Sequence, residues 1–213
     1  MKNLFLLTAA ALASLAAPAF ASPPGMAENV KAMNDLWANV AYRMEGSSHQ
    51  AAALNKLDKQ AAMVVARYPG EAEPLLWQGI ILSEEAKRAN ILHKLSLATR
   101  ARDVISKAYA IDPHAGHGGA AMSLGVLYYR VPGAPIGFGD KAKAKVLLKQ
   151  ALALDSNGLD ANYFYGDYLA VVGDKAGAKA FLEKALRAPH DPSRPVWDAG
   201  RRGEVRALLA KLG

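Results

Sequence analysis

Two histidines in one predicted turn are the best candidates for metal chemistry in this sequence. His114 and His117 are three residues apart and Asp112 precedes them, so a metal ion could find two imidazoles and a carboxylate there. Two glycines follow His117, and exposed histidines are common in such turns. We therefore predict no metal site and no cofactor, and keep a metal-dependent enzyme built on this pair as an alternative.

Two glycine patterns match known catalytic or nucleotide-binding motifs in their letters. Gly137, Gly139 and Ala142 fit the dinucleotide fingerprint, which binds a pyrophosphate only when it follows a buried strand. No strand pattern precedes them. Ser123 and Gly125 fit a nucleophile elbow, but they lie within a predicted helix, which lacks the sharp turn that exposes the serine. We predict no catalytic residue, and hence a protein that is not an enzyme.

An internal repeat defines the helices on which the residues named above would lie. An alanine, a leucine or isoleucine four residues later, and a second alanine three residues after that recur at 101–108, 144–151 and 178–185. The last two copies are 34 residues apart. Each copy follows an apolar segment with one interior glycine, and these glycines are Gly79, Gly125 and Gly166. This spacing predicts helices with one apolar face, paired closely at glycine, that bury their faces by stacking.

These residues resemble the tetratricopeptide repeat, in which a helix with a tryptophan-leucine-glycine-tyrosine pattern precedes an alanine-rich helix and a proline. The resemblance implies an all-α fold, a right-handed α-solenoid of about four helix hairpins. The repeats are predicted at about 28–69, 72–113, 117–156 and 159–190. An amphipathic segment at 195–212 is predicted to form a C-terminal capping helix.

The first 21 residues have the pattern of a cleaved secretory signal peptide. Lys2 precedes an apolar run that is too short to span a bilayer comfortably, and Ala19-Phe20-Ala21 matches the small-x-small cleavage site. We expect cleavage after Ala21, one domain at 22–213 and a periplasmic location, with secretion to the medium as the alternative.

The chain has no cysteine for a disulfide or a lipid anchor. Its net charge of +7 is too small to predict nucleic-acid binding, and no later apolar run is long enough for membrane insertion.

A narrower resemblance covers 128–167 and 187–205. These segments are similar to exported repeat proteins related to the T-component of TRAP (tripartite periplasmic) transporters. That family implies an α-helical, pore-bearing assembly that engages a solute-binding receptor and an apolar ligand. Its known type is lipid-anchored through a cysteine, which this chain lacks.

In the tetratricopeptide family, the first helix of each hairpin lines the concave side of the solenoid. The positions carried over from that resemblance, with Phe138 from the loop beside them, form the predicted partner-binding set: Tyr42, Leu76, Ile80, Met122, Val126, Tyr129, Arg130, Phe138, Tyr163 and Asp167. Glu84 lies at a related position. This lining has few charges, which suits an apolar small molecule or peptide, a protein partner, or a second copy of the chain. The alternative is that insertions cover the groove and these side chains belong to the core.

Two insertions lengthen the second and third hairpins. Residues 84–98 carry their own apolar side chains, and residues 131–140 contain two prolines and three glycines. The second insertion ends at Asp140, which is predicted to cap the next helix. Both insertions should emerge on the same edge of the solenoid and form a lip over the groove.

Two groups of charged residues have a structural and a functional interpretation. Lys141, Lys145 and Lys149 lie on one face of a predicted helix, which is either solvated or a docking stripe for an acidic partner. Charges between Asp191 and Arg202 either bind an anion or pair with one another and hold the capping helix on the fourth repeat.

The sequence as a whole predicts a non-enzymatic periplasmic scaffold for a protein partner or an apolar ligand. The alternative is an accessory subunit of a periplasmic solute uptake system.

Overall fold

The computed structural model of the protein describes residues 22–213, which form nine α-helices and no strand. The helices are α1 (Met26–Tyr42), α2 (Ser47–Arg67), α3 (Ala72–Arg88), α4 (Ile91–Ile111), α5 (Ala115–Arg130), α6 (Lys141–Leu154), α7 (Leu159–Val171), α8 (Lys175–Leu186) and α9 (Pro195–Leu212). The predicted all-α fold is confirmed. The predicted signal peptide at 1–21 lies outside the described residues. None of these nine helices has the combination of length and apolar character that crossing a bilayer requires.

The first eight helices pack as four hairpins, α1–α2, α3–α4, α5–α6 and α7–α8. In three hairpins the interior glycine of the first helix lies directly against one aliphatic side chain of the second: Gly79 against Ile105, Gly125 against Leu148, and Gly166 against Leu182. A Cβ atom on Gly125 would lie only 2.7 Å from Leu148 Cγ. Burying one such aliphatic side chain stabilises the fold by about 1.5–3 kcal/mol. Only a glycine leaves room for it at this distance, so the glycine and its aliphatic partner recur together in the sequence.

A short polar side chain begins the second helix of these three hairpins. Asn90, Asp140 and Asp174 occupy the cap positions of α4, α6 and α8, and each accepts at least one hydrogen bond from a backbone amide of the first turn. Asp140 accepts from the amides of Ala142 and Lys143, both at 2.9 Å, as predicted. A cap of this kind contributes about 1 kcal/mol and determines where the helix begins.

The first helices of the hairpins form an inner layer, in which α1, α3, α5 and α7 each pack against the next. α9 continues this layer beyond α7 and α8, and it also packs against α1. The contact is close because Gly200 on α9 lies against the ring of Tyr42 with no space for a side chain. The predicted capping helix therefore covers the fourth hairpin and also closes the inner layer onto the first.

The two insertions meet at one edge of the array, as predicted. Residues 84–98 form no separate loop: they extend α3 and α4, which are joined by only Ala89 and Asn90. The connection between α5 and α6 lies against α4, where a Cβ atom on Gly137 would be 3.3 Å from Leu95 Cδ1. On the concave side, α9 packs against α1 and α7, and within residues 22–213 no lip of insertions covers this part of the inner layer.

The glycines of the α5–α6 connection have a packing role. Gly139 lies so close to the carbonyl of Val131 that a side chain would not fit. Its amide donates a hydrogen bond to the Pro132 carbonyl at 2.9 Å. In the described chain no strand precedes these residues, so the context that a dinucleotide fingerprint needs is missing.

Candidate functional site

The structure divides the predicted partner-binding residues into four groups along the concave side and its edge. They are Tyr129, Arg130 and Asp167 between α5 and α7; Tyr42 and Tyr163 under α9; Leu76, Ile80, Met122 and Val126 along the apolar inner layer; and Phe138 outside it.

Tyr129 and Arg130, at the end of α5, both reach Asp167 on α7. The Tyr129 hydroxyl donates to Asp167 Oδ2 at 2.5 Å, and the Arg130 guanidinium pairs with the same carboxylate oxygen. Burial, together with the neighbouring Asp167 carboxylate, raises the pKa of Tyr129 well above its ordinary value, so this hydroxyl stays protonated. Asp167 is buried, whereas the Arg130 side chain is about half exposed. The cluster joins the third and fourth hairpins and leaves Arg130 in contact with solvent.

Arg201 on α9 is the centre of the second group. Its Nε lies 2.7 Å from Asp160 Oδ1, its Nη1 lies 2.6 Å from Glu204 Oε2, and the side chain is only 7% exposed. Its guanidinium carbon is 4.7 Å from the centre of the Tyr163 ring, a cation–π arrangement. Burial alone would lower the pKa of Arg201, but Asp160 and the other neighbouring groups hold it well above its ordinary value. Arg201 therefore stays charged inside the fold.

The two tyrosines of this group are covered by α9. The Tyr42 hydroxyl donates to Glu204 Oε2 at 3.2 Å, and its ring meets Trp37 edge to face at 5.8 Å. Burial raises the pKa of Tyr42 far above its ordinary value and raises the pKa of Tyr163 to about 12. Tyr163 is buried and Tyr42 is partly buried, so α9 leaves little of either ring for a partner to contact.

The neighbouring Arg202 holds α9 on the fourth hairpin, as the pairing interpretation of these charges predicts. Its Nε lies 3.0 Å from Asp198 Oδ2, and its other nitrogens donate to the carbonyls of Leu186 and Ala188. Burial alone would raise the pKa of Asp198, but hydrogen bonds from Arg202 and His190 hold it below its ordinary value. The sequence pointed to the two arginines together, and only the structure separates their roles.

A second contact joins the two ends of the array. Asn34 on α1 is buried, and with its amide oxygen turned towards the α8–α9 connection it accepts from Arg194 Nη2 at 3.0 Å. The Arg194 guanidinium carbon lies 4.0 Å from the centre of the Trp197 ring. Sequence reasoning missed Asn34, Asp160 and Glu204 because nothing in their local pattern distinguishes them from other polar helix residues.

The apolar members differ in burial. Leu76 is fully packed in the core, where Gly116 and Gly119 lie against it, and Ile80 and Val126 are partly buried against core clusters. Phe138 packs on the outside of α4 and α5. Its ring meets Tyr128 edge to face at 5.8 Å and lies 4.5 Å from the guanidinium carbon of Arg102.

Met122, the remaining apolar member, lines a cavity of about 400 Å³ where the N-terminal ends of α5, α7 and α9 converge. The apolar part of its wall includes Met122, Leu159 and Trp197, and the polar part includes Asp155, Asp191 and Arg194. The described residues contain no carboxylate within 4 Å of Arg194.

The irregular start of α5 forms one wall of this cavity. Gly116, His117 and Gly118 have φ values of 59°, 54° and 87°, in the left-handed region, and regular helix geometry resumes at Gly119. Glycine tolerates this conformation and histidine rarely adopts it. These three residues line the cavity, and because two of them are glycines, much of this wall is backbone.

The two histidines of the predicted turn are both exposed. The His114 side chain is 74% exposed, its Nδ1 lies 3.6 Å from Asp112 Oδ1, and His117 is exposed at the start of α5. Over residues 22–213, no three histidine, cysteine, aspartate or glutamate side chains are grouped closely enough to hold a metal ion.

No protein-family model and no curated protein match this sequence. Among solved structures, the fold is similar to that of a thermophilic TPR protein from Thermus thermophilus, with a TM-score of 0.57 and 19% sequence identity. The match covers 76% of this chain and 77% of that one. At this level of identity the comparison shows the fold alone. The chain has a TPR-like helical-repeat fold.

Proposed function

We propose that this protein is an exported, non-catalytic helical-repeat scaffold that binds a segment of a partner protein. The binding site is the cavity at the converging ends of α5, α7 and α9. One observation carries the proposal: α9 covers Tyr42 and Tyr163 on the concave side but leaves this cavity of about 400 Å³ open.

The chemistry of the wall suits a short peptide segment. A volume of about 400 Å³ falls within the range of about 300–1,000 Å³ that is usual for ligand sites. Met122 and Trp197 offer an apolar surface, the backbone at 116–118 offers hydrogen-bonding groups, and Arg194 offers a cation. An apolar side chain of the peptide would contact Met122 and Trp197, and the polar main-chain groups on either side of it would hydrogen-bond to the backbone at 116–118 and to Arg194.

The periplasmic location is part of this proposal and is supported by the signal-peptide pattern of residues 1–21. The mass of the protein purified from a periplasmic fraction tests it, since cleavage after Ala21 leaves Ser22 as the first residue. The accessory role in solute uptake stays a prediction. A solute-receptor or permease gene beside this one in several genomes would favour it.

A pull-down from periplasmic extract with matched variants tests the site. Tyr129 and Tyr163 are unsuitable targets because both are buried and an acidic replacement would unfold the protein. Met122→Glu places a charge in the cavity wall, whereas Val146→Glu places one on a side chain of α6 that is 67% exposed and outside the cavity. We expect a specific protein to be captured by the native chain and Val146→Glu, and to be lost with Met122→Glu.

Capture of the same protein by Met122→Glu, with its helical content intact by circular dichroism, would contradict the cavity proposal. Mass spectrometry of small molecules that co-purify with the native chain tests the apolar-ligand alternative. An apolar compound present at a stoichiometric amount and lost with Met122→Glu would replace the peptide as the occupant.

A further inference from the structure

The turns within the four hairpins lie together on one edge of the protein. Neighbouring turns are linked in sequence order: Arg88 Nε donates to Gln50 Oε1 at 2.6 Å, and Tyr168 Oη donates to the Lys141 carbonyl at 3.2 Å. Gly137 lies against Leu95 between these two links. We call this edge the turn face. It consists of residues 43–46, 89–90, 131–140 and 172–174 with the adjoining first turns of α2, α4, α6 and α8.

The turn face carries a row of exposed apolar side chains. Ile91 and Leu92 are each 83% exposed in the first turn of α4, and Ile136 is 70% exposed at the tip of the α5–α6 connection. The row continues with other exposed apolar residues: Met44, Leu95, Val171 and Val172. Surface apolar residues usually occur singly, so a row drawn from every intra-hairpin turn indicates an interaction surface.

The backbone that presents these side chains is well supported. Asn90 caps α4 immediately before Ile91, and the connection that carries Ile136 is anchored by Phe138 against Tyr128. The exposed side chains are therefore held out from the core by ordered turns.

Exposed cations lie in the same turns or in the helix turns that adjoin them. Arg43, Lys94, Lys141, Lys145 and Lys175 are exposed, and within the described residues none has a carboxylate within 4 Å. The acidic side chains of the turns are few: Glu45 and the two helix caps, Asp140 and Asp174. The surface is therefore apolar and cationic together.

We propose that the turn face binds the surface of an anionic lipid bilayer. Apolar side chains that enter the headgroup region and cations that contact anionic lipids are the two contributions that hold a protein at such a surface. The apolar side chains project separately from several turns, and a bilayer accepts them without the matching pockets that a protein partner would need. This inference is independent of the peptide site, because the cavity lies at the opposite ends of the inner helices.

Co-sedimentation with vesicles tests the proposal. The purified protein should bind vesicles made of equal parts of phosphatidylglycerol and phosphatidylcholine, and should not bind vesicles of phosphatidylcholine alone. The double variant Ile91→Asp/Leu92→Asp should lower the partition constant at least about tenfold. The double variant Lys94→Glu/Lys141→Glu should lower it at least about fivefold for each lysine.

Matched controls separate the turn face from general effects. Met63→Asp changes a side chain that is 66% exposed near the other end of α2, and Lys56→Glu/Lys59→Glu reverses two exposed charges in the middle of that helix. Both controls, and Met122→Glu, should bind vesicles as the native chain does, and both controls and the turn-face variants should melt as it does. Two results would overturn the proposal: no binding of the native chain to the anionic vesicles, or native binding by the folded Ile91/Leu92 variant.

Discussion

Replacing Arg201 by methionine tests whether α9 closes the inner layer through a buried ion pair. Methionine keeps most of the apolar stem but removes the guanidinium, so Asp160 and Glu204 lose their cation. Breaking a buried pair on one side costs about 3–5 kcal/mol. Asp160 is 22% exposed and Glu204 31% exposed, and Trp197 Nε1 still donates to Asp160 at 3.2 Å. We therefore expect the lower end of that range, a loss of about 3 kcal/mol.

Urea unfolding followed by circular dichroism measures this loss as a change in the free energy of unfolding. Arg206→Met, an exposed change on the same helix, is the control and should have little effect. Adding Asp160→Asn to Arg201→Met should restore at least about 1 kcal/mol, because it removes the unpaired carboxylate. A free energy of unfolding for Arg201→Met within about 1 kcal/mol of the native value would refute the assignment of Arg201 as the link between α9 and the inner layer.

Two further predictions concern the hairpins and the buried tyrosines. Gly125→Ala places a Cβ atom 2.7 Å from Leu148 Cγ and should destabilise the protein by about 1–3 kcal/mol in thermal unfolding, whereas Gly203→Ala, with no atom within 4 Å, should not destabilise it. The pKa of Tyr163 is raised from 10.0 to about 12, mainly by burial, so the folded state holds this proton more tightly than the unfolded state. Its contribution to stability is complete below pH 10 and is lost as the pH rises towards 12, by about 1.4 kcal/mol at pH 11. Between pH 9 and 11, the free energy of unfolding measured in urea should fall less for Tyr163→Phe than for the native chain, by that amount. Equal losses in the variant and the native chain would contradict the assignment.

The local features of the fold could be predicted from the sequence because each depends on contacts within one hairpin. Close helix packing at Gly125 and the cap at Asp140 were both predicted from short-range spacing and were both confirmed, and the structure shows that the side chain packed against Gly125 is Leu148. Helix periodicity and close packing at glycine need no knowledge of the rest of the chain. The all-α repeat architecture followed from the same evidence.

The concave side was only partly predictable, because its state depends on a helix that is distant in sequence. Tyr42 and Gly200 are 158 positions apart, and nothing in the local pattern around either residue indicates that they touch. The resemblance to the tetratricopeptide repeat implied that Tyr42 and Tyr163 line the concave side, but not that α9 would pack over them. The cavity beside Met122 could not be predicted for the same reason, since its wall combines the starts of three helices and the irregular backbone at 116–118.

By itself, the sequence determined the helices, their pairing at glycines and their caps, because apolar periodicity and short-range hydrogen bonds act over a few turns of chain. Only the tertiary structure decided which part of the concave side is core and which part stays open. That outcome depends on whether the curvature of four hairpins brings α1 within reach of α9, and the curvature sums many small packing angles that no single motif encodes. Arg201 shows both contributions. Its charge is visible in the sequence, but Asp160 and Glu204 become its neighbours only when the array closes.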